Sequence, residues 1–387
     1  MKKFLAILLL AGCVSGVEAQ NNANEKTLFE EVTGLKKKSD KFNFFLNMNG
    51  SFDAMDNQAG KSGKFNMRQL RIEAKGQVND WLSYRWRQRL NRPNNVKTAS
   101  GDDYIDNMPT SIDIAGIGVK LNDKWSLFAG KQCANYGGVE FDLNPIEIYE
   151  YSDMIDNMDN FMTGVNIGYD ATPNHQFNFQ VLNSLNSTFE DKYGNVPVEM
   201  TKLPLVYTLN WCGNFNNVFK TRWSASIMNQ AKDKNMTYIA LGNELSLGKF
   251  GMFLDFMYSK EDIDRKRIMT SMLGGGASLP SAEYMSIVTK LNYRFKPNWN
   301  VFVKGMYETA SLGKNIETEG GEEFEKGKYR TSLGYLAGLE YYPMENSNLH
   351  FFLTYVGRKY NYTSKADLKD FDTNRVSVGF IYQLQMF

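Results

Sequence analysis

From Phe42 onward the hydrophobicity of the chain has a period of two residues. Between Phe42 and Phe52, the side chains of Phe42, Phe44, Leu46, Met48 and Phe52 share one face, while Asn43, Asn47, Asn49 and Ser51 share the other. Successive side chains of an extended strand point to opposite sides, so this rhythm describes a strand with one oily and one wet face. It recurs at Leu70-Ile72-Ala74-Val78, Leu82-Tyr84-Trp86-Leu90, Thr163-Val165-Ile167-Tyr169, Leu203-Leu205-Tyr207-Leu209-Trp211 and Phe219-Thr221-Trp223-Ala225-Ile227. It continues through Phe250-Met252-Leu254-Phe256-Tyr258, Leu333-Tyr335-Ala337-Leu339-Tyr341 and Leu349-Phe351-Leu353-Tyr355. After the N-terminal region, no run of about 18 apolar residues is present, so any membrane crossing must be made by strands. Aromatic residues make up 14% of the chain, Gly (32) far outnumbers Pro (9), and the mean hydropathy is −0.44. Aromatics without a greasy average are what a barrel with lipid outside and water inside requires.

Connection lengths carry the topology. Short links rich in Gly, Pro, Asn and Asp fall at Asn79-Asp80, Asn122-Asp123-Lys124, Thr172-Pro173-Asn174, 213–217, Gly248-Lys249, Lys296-Pro297-Asn298 and 343–348. Longer polar stretches lie between them, at 53–64, 93–110, 133–160, 187–201, 229–235, 260–283, 309–328 and 360–374. The alternation implies an all-β, transmembrane antiparallel barrel of about 16 strands over 42–387, with short periplasmic turns and long extracellular loops. Trp81, Trp125, Phe219, Phe250 and Trp299 each follow a short turn directly, where an interfacial aromatic girdle belongs. The last strand, Val376 to Phe387, has its apolar positions out of phase with Phe387, and a bulge near Gln385 would restore the phase. A secreted, soluble glycan-binding β protein would share the alternation but should carry polar residues on its outward face.

The N-terminus reads as an export signal. Lys2 and Lys3 precede an apolar run from Phe4 to Gly12, and Val17-Glu18-Ala19 offers a cleavage site before Gln20, so 1–19 is expected to be a signal peptide. Leu10-Ala11-Gly12-Cys13 also fits a lipoprotein box, which would leave Cys13 acylated. Residues 20–41 form a short periplasmic segment, with Leu28, Val32 and Leu35 at near-helical spacing. The expected location is the cell outer membrane, with its lipid as the first partner. A formal charge of +1, near zero after cleavage, gives no reason to expect nucleic acid. Cys133 and Cys212 without CxxC spacing, and two histidines in all, predict no metal, no disulfide and no cofactor. His175 and His350 lie at or near short turns away from any serine motif, so no catalytic site is expected.

If the apolar positions face lipid, the alternate positions face the lumen. The lumen cations are then Arg71, Lys75, Arg85, Arg87, Arg89, Lys120, Lys220, Arg222, Lys290, Arg294, Lys304, Arg330 and Arg358. The acids are Glu73, Asp170, Glu244, Asp255, Glu308 and Glu340. Cations outnumber acids about two to one, although the chain as a whole is nearly neutral. In Arg85-Trp86-Arg87-Gln88-Arg89 three guanidinium groups share a face at roughly 7 Å intervals. Together with Arg71, Lys75, Lys220, Arg222 and Lys304 they are candidate anion-guiding residues; pairing with Glu73 and other acids to stiffen the wall is the structural alternative. The third loop, 133–160, is long enough to fold inward and carries Glu140, Asp142, Glu147, Glu150, Asp153, Asp156 and Asp159. Opposite the arginines, those acids would create a transverse field suited to zwitterions or sugars as well as anions. Asp153 to Asp159 lacks the glycine and terminal glutamate of an EF-hand, so solvated loop acids are expected there.

The hairpin Asn66-Met67-Arg68-Gln69-Leu70-Arg71 through Asn79-Asp80-Trp81-Leu82-Ser83-Tyr84-Arg85, with Leu127-Phe128-Ala129-Gly130-Lys131-Gln132 leading into the third loop, resembles the phosphate-selective porin family. The resemblance implies a 16-stranded barrel, usually a homotrimer, in which basic residues guide small anionic solutes through a constriction shaped by the third loop. Some members of that family carry solutes other than phosphate. The expected function is passive diffusion favouring phosphate or similar anions, with a general or sugar- and zwitterion-permeable channel as the alternative.

Overall fold

The computed structural model describes residues 41–92, 108–318, 321–344 and 347–386. The strands are β1 (Asn43–Asn57), β2 (Gly60–Gln77), β3 (Leu82–Arg89), β4 (Ile112–Lys120), β5 (Trp125–Cys133), β6 (Phe161–Thr172), β7 (His175–Asn183), β8 (Leu205–Phe215) and β9 (Phe219–Ala231). They continue with β10 (Lys234–Leu247), β11 (Phe250–Ile263), β12 (Pro280–Lys296), β13 (Trp299–Leu312), β14 (Ile316–Glu317), β15 (Glu323–Phe324), β16 (Gly327–Tyr341), β17 (His350–Tyr362) and β18 (Phe371–Gln385). All except β14 and β15 pair antiparallel with their neighbours, and β18 returns to β1 to close a 16-strand barrel. β14 and β15 form a small ribbon in the loop between β13 and β16. Among the described residues no helix is long and apolar enough to cross a membrane.

The alternation read from the sequence is the alternation of the wall. Leu209 on β8 is 64% exposed, while Thr208 and Asn210 beside it are 2% and 3% exposed. Trp223, Ile227, Ile239, Leu254, Val303, Leu353 and Val378 stand outward in the same way. All seven short links fall between strands. At two of them an asparagine shapes the turn: Asn79 Oδ1 accepts from the N–H of Trp81 (3.1 Å) and Leu82 (2.9 Å), and Asn122 Oδ1 from Lys124 (2.9 Å) and Trp125 (3.0 Å). Each turn thereby delivers a tryptophan to the rim, where Trp125 packs on Tyr169 with ring centroids 4.6 Å apart.

Two of the expected long loops are strand instead. Residues 53–64 extend β1 and β2 to a connection at Gln58-Ala59, and 229–235 close at Lys232-Asp233, with Asp233 at φ 58°. Strands that rise beyond the hydrocarbon need no apolar outer face, so their alternation fades before their pairing does. Among the described residues no bulge falls near Gln385: the β1–β18 register runs unshifted from Asp56↔Asn374 to Phe45↔Gln385, and the phase of Phe387 lies outside them. Phe387, the signal peptide, Cys13 and the Leu28-Val32-Leu35 segment lie outside the described residues.

The largest departure from expectation is the interior. On β6 to β17 many inward positions are apolar, among them Met162, Leu182, Val206, Met228, Tyr238, Met257, Val288, Phe302, Met306, Leu336, Phe352 and Val356. The third loop folds into the barrel and lays Tyr136, Val139, Phe141, Ile146, Tyr149, Met154, Ile155 and Met158 against them. At roughly 1.5–3 kcal/mol for each fully buried large apolar side chain, this contact fixes the loop as a plug, so a uniform water-filled bore is excluded. Ion pairs lock it further. Glu140 pairs with Lys304, Asp142 with Arg222, and Asp153 with Arg330 and Arg358. Glu150 meets Arg375 (2.9 Å), Asp159 meets Arg265 (2.6 Å) and Lys192 (2.7 Å), and Asp255 accepts the backbone N–H of Val139 (2.7 Å) and Glu140 (2.8 Å). Burial alone would raise the Asp159 carboxyl, but Lys192 and Arg265 more than offset this and hold it at about 2.

Leu209→Arg is expected to destabilise the barrel in lipid vesicles by roughly 2–4 kcal/mol, read from denaturant titration; a change within experimental error would place Leu209 in water. Arg358→Ala strips Asp153 and Glu308 of a buried partner and should loosen the plug by about 3–5 kcal/mol, seen as faster hydrogen exchange across 134–160. The Asp159 anchor is complete above the ordinary carboxylate pKa near ~3.9 and is lost only as pH falls through about 2. Current noise from Asp159 release should therefore stay absent down to about pH 5; an Asp159-dependent rise in noise above that pH would contradict the assignment.

Candidate functional site

Apart from the ion pairs that hold the plug, the densest group of inward charges lies on β2 to β4, where it is largely buried. The register sets Arg71 opposite Arg89, Glu73 opposite Arg87 and Lys75 opposite Arg85. Two guanidinium groups directly across a strand pair repel unless a counter-charge lies between them. Here that charge is Asp113 of β4. Its Oδ1 accepts from Arg89 Nε at 2.8 Å, and its Oδ2 lies 3.4 Å from Arg87 Nε and 3.6 Å from Arg71 Nε. Phe161 lies beneath the cluster, its ring centroid 5.1 Å from the Arg87 guanidinium carbon and 5.6 Å from that of Arg89. Arg85 is set apart one rung nearer the periplasm, with Nε donating to Glu73 Oε1 at 2.8 Å.

Three guanidinium groups around one carboxylate leave an excess of positive charge. Arg71 carries most of its consequence. It is 1% exposed, and among the described residues none of its three guanidinium nitrogens has a hydrogen-bond partner. Buried polar groups are nearly always bonded, and the protein supplies Arg71 with nothing but a carboxylate at the margin of ion-pair distance. Its charge therefore stands buried and undersatisfied behind the wall, where it adds to the positive field of the cluster.

Both residues that define this region and escape a simple odd–even reading sit on β-bulges. Asp113 is the extra residue where Arg87 faces Ile114 and Gln88 faces Ile112. Arg68 is the extra residue where Asn49 faces Gln69 and Gly50 faces Met67. A bulge turns its residue toward the other face. Asp113 is thereby buried among the arginines, and Arg68 reaches inward to Asp53 (2.7 Å) and to the carbonyl of Tyr149 on the third loop (3.2 Å). The sequence carries a trace of both slips. Phe65 and Met67 are odd-numbered where Leu70, Ile72 and Ala74 are even, and Ile112 is even where Ile117 and Val119 are odd.

The other candidate residues divide. Arg222 and Lys304 anchor Asp142 and Glu140 of the loop, and Lys304 also donates to the carbonyl of Glu150 at 2.6 Å. Lys75 lies 4.8 Å over the ring of Phe45, and Lys220 stands across β9–β10 from Glu244. Glu147 is exposed on the turn Pro145–Glu147. The loop acids Glu140, Asp142, Glu150 and Asp153 face wall cations, and Asp159 faces Lys192 and Arg265 of other connections, so most of the loop's negative charge is spent on holding it in place; Asp156 is exposed. Cys133 and Cys212 are not bonded to each other, and among the described residues no group of three His, Cys, Asp or Glu is placed to hold a metal ion. On the periplasmic side of the cluster lies a cavity of about 230 Å³ whose wall includes Arg85, Ile114, Phe128, Gln132, Asn135, Asn166, Asn178 and Arg222.

Solved structures share this architecture at low sequence identity. The outer membrane channel DcaP of Acinetobacter baumannii matches over 90% of this chain and 100% of its own, with a TM-score of 0.61 and 13% identity. An anion-selective porin from Comamonas acidovorans matches over 89% and 99%, at 0.56 and 8%. The trimer form of OmpT, an outer membrane protein of Vibrio cholerae, matches over 90% and 100%, at 0.53 and 13%. No curated protein matches closely enough to count as a relative. The sequence model of the family described as phosphate-selective porin O and P matches residues 42–384, nearly the whole barrel. The chain is therefore a member of the phosphate-selective porin O and P family, an outer-membrane β-barrel porin.

Proposed function

We propose that the protein is a passive diffusion channel favouring small anions, exported by a cleaved signal peptide over 1–19 and assembled as a homotrimer, with no catalytic step. The observation that carries the anion preference is the cluster of Arg71, Arg87 and Arg89 around the single carboxylate of Asp113, the Arg71 guanidinium having no hydrogen bond among the described residues. Guanidinium groups stay charged at any physiological pH and offer several donors each, so they replace part of an anion's hydration shell. Fixed positive charge in a narrow passage concentrates anions and excludes cations. Asp113 keeps the arginines together and reduces their attraction, which lets a bound anion leave. Arg85 and Lys75 continue the positive wall toward the periplasm, whereas Lys304 acts through the loop it holds and Arg222 both holds the loop and borders the cavity. The anion-selective porin from Comamonas acidovorans and the trimer form of OmpT, both of this fold, support the reading of selectivity and assembly.

Reversal potentials in planar bilayers under a salt gradient should show anion preference. Replacing Arg71 and Arg87 by glutamine should move the potential toward zero while heat-modifiable migration shows an intact barrel. Cation preference in the native channel would overturn the reading, and unchanged selectivity in the double variant would return these arginines to a bracing role. Cross-linking in native membranes should give a species of three chains; a lone chain would remove the trimer.

A further inference from the structure

The cavity beside the arginines has a second chemistry that simple anion passage leaves unused. On its β6–β7 side, uncharged amides form a directed row. Asn135 Nδ2 donates to Asn166 Oδ1 (2.9 Å), Asn166 Nδ2 to Asn178 Oδ1 (3.0 Å), Asn178 Nδ2 to Gln176 Oε1 (3.0 Å), and Gln176 Nε2 to Asp170 Oδ1 (2.6 Å). Gln180 fixes the top of the row, donating to Gln132 Oε1 (2.9 Å) and accepting from the Asn135 N–H (2.7 Å).

A primary amide offers two N–H donors and two acceptor positions. Asn166 and Asn178 each use one of each within the row, which leaves one donor and one acceptor apiece beside the cavity they line. Bracing alone is a weak explanation, because the inward wall from β8 to β17 is braced largely by apolar packing against the third loop. Gly168 keeps the row uncovered. A Cβ there would lie 2.7 Å from Ser126 Oγ and 3.3 Å from Asn178 Oδ1, on top of the amides. The same cavity is lined by Arg85 of β3 and Arg222 of β9, with Phe128 and Ile114 as apolar lining.

Paired donors and acceptors in a row are the complement of a chain of hydroxyl groups, which are themselves donor and acceptor at once. A ring aromatic face is the complement of an apolar C–H face, and a cationic end is the complement of an acid. A bare inorganic anion would engage the cationic end alone. We propose that the solutes held in this cavity are monosaccharides bearing one phosphate or carboxylate group, with the acid at the arginines and the hydroxyls along Asn135, Asn166 and Asn178. This rests on the anion reading above and names the solute class of the same passage.

The test is block of chloride current through the full-length protein in planar bilayers by glucose 6-phosphate, inorganic phosphate and glucose. Glucose 6-phosphate should half-block at a concentration about tenfold below that of inorganic phosphate, with glucose weaker than either. Asn166→Leu and Asn178→Leu should bring the two phosphates within about threefold of one another, each variant first shown to be a folded barrel by heat-modifiable migration. Equal block by the two phosphates in the native channel, equal block by glucose, or an undiminished gap in both folded variants would overturn the proposal. A channel that is anion-selective yet blocks equally loses only this inference, whereas cation preference removes the anion reading beneath it.

Discussion

A backbone in hydrocarbon has no water to bond, so a sheet there survives only if its first and last strands find each other. In this protein that demand is met by β1 and β18, paired without a register shift from Phe45↔Gln385 to Asp56↔Asn374. Closure fixes the alternation of every other strand, because one residue of slip would turn a full strand's lipid face into the lumen. It also permits local exceptions. Bulges at Arg68 and Asp113 insert single residues without breaking the ring, and each re-aims one charged side chain. The barrel thus supplies regularity, and its few irregularities place the charge of the passage.

The fold was almost entirely legible in the amino-acid sequence, since period-two hydropathy and alternating connection lengths report directly on lipid contact and strand count. The two misjudged loops, 53–64 and 229–235, lie where strands leave the bilayer and hydropathy stops reporting on pairing. The interior was far less legible. Inward Met228, Met257, Met306 and Phe352 interrupt no pattern that separates an aqueous bore from a packed one, because an inward apolar residue is meaningful only with knowledge of what lies across from it. That partner is the third loop, whose Val139, Phe141, Ile146 and Met154 are spaced irregularly and pack across long sequence distances.

The site shows the same limit in electrostatic terms. Arg71, Arg85, Arg87 and Arg89 could be grouped from strand phase alone, yet Asp113 was assigned to no face and Arg222 and Lys304 were indistinguishable from them. What separates these cations is the identity of the nearest carboxylate. Arg222 and Lys304 each meet a loop acid, Arg85 meets Glu73 of the neighbouring strand, and the remaining three arginines share one aspartate. Counting lumen charges by sign treats all of these as equal. The field felt by a solute depends instead on which pairs are already closed.

The plug and the arginine cluster are consequences of one another. Folding the third loop against β6 to β18 packs that wall, and the loop's own acids cancel the cations that wall presents, so the field of the lumen is concentrated on the arginines of β2 and β3, where the loop brings no carboxylate. Without Glu140, Asp142 and Asp153 at their partners, Lys304, Arg222, Arg330 and Arg358 would compete with the cluster for the same anion. The loop therefore shapes the lumen by what it neutralises as much as by the space it fills, and the charge it does not cancel is that of the cluster around Asp113, beside the amide-lined cavity.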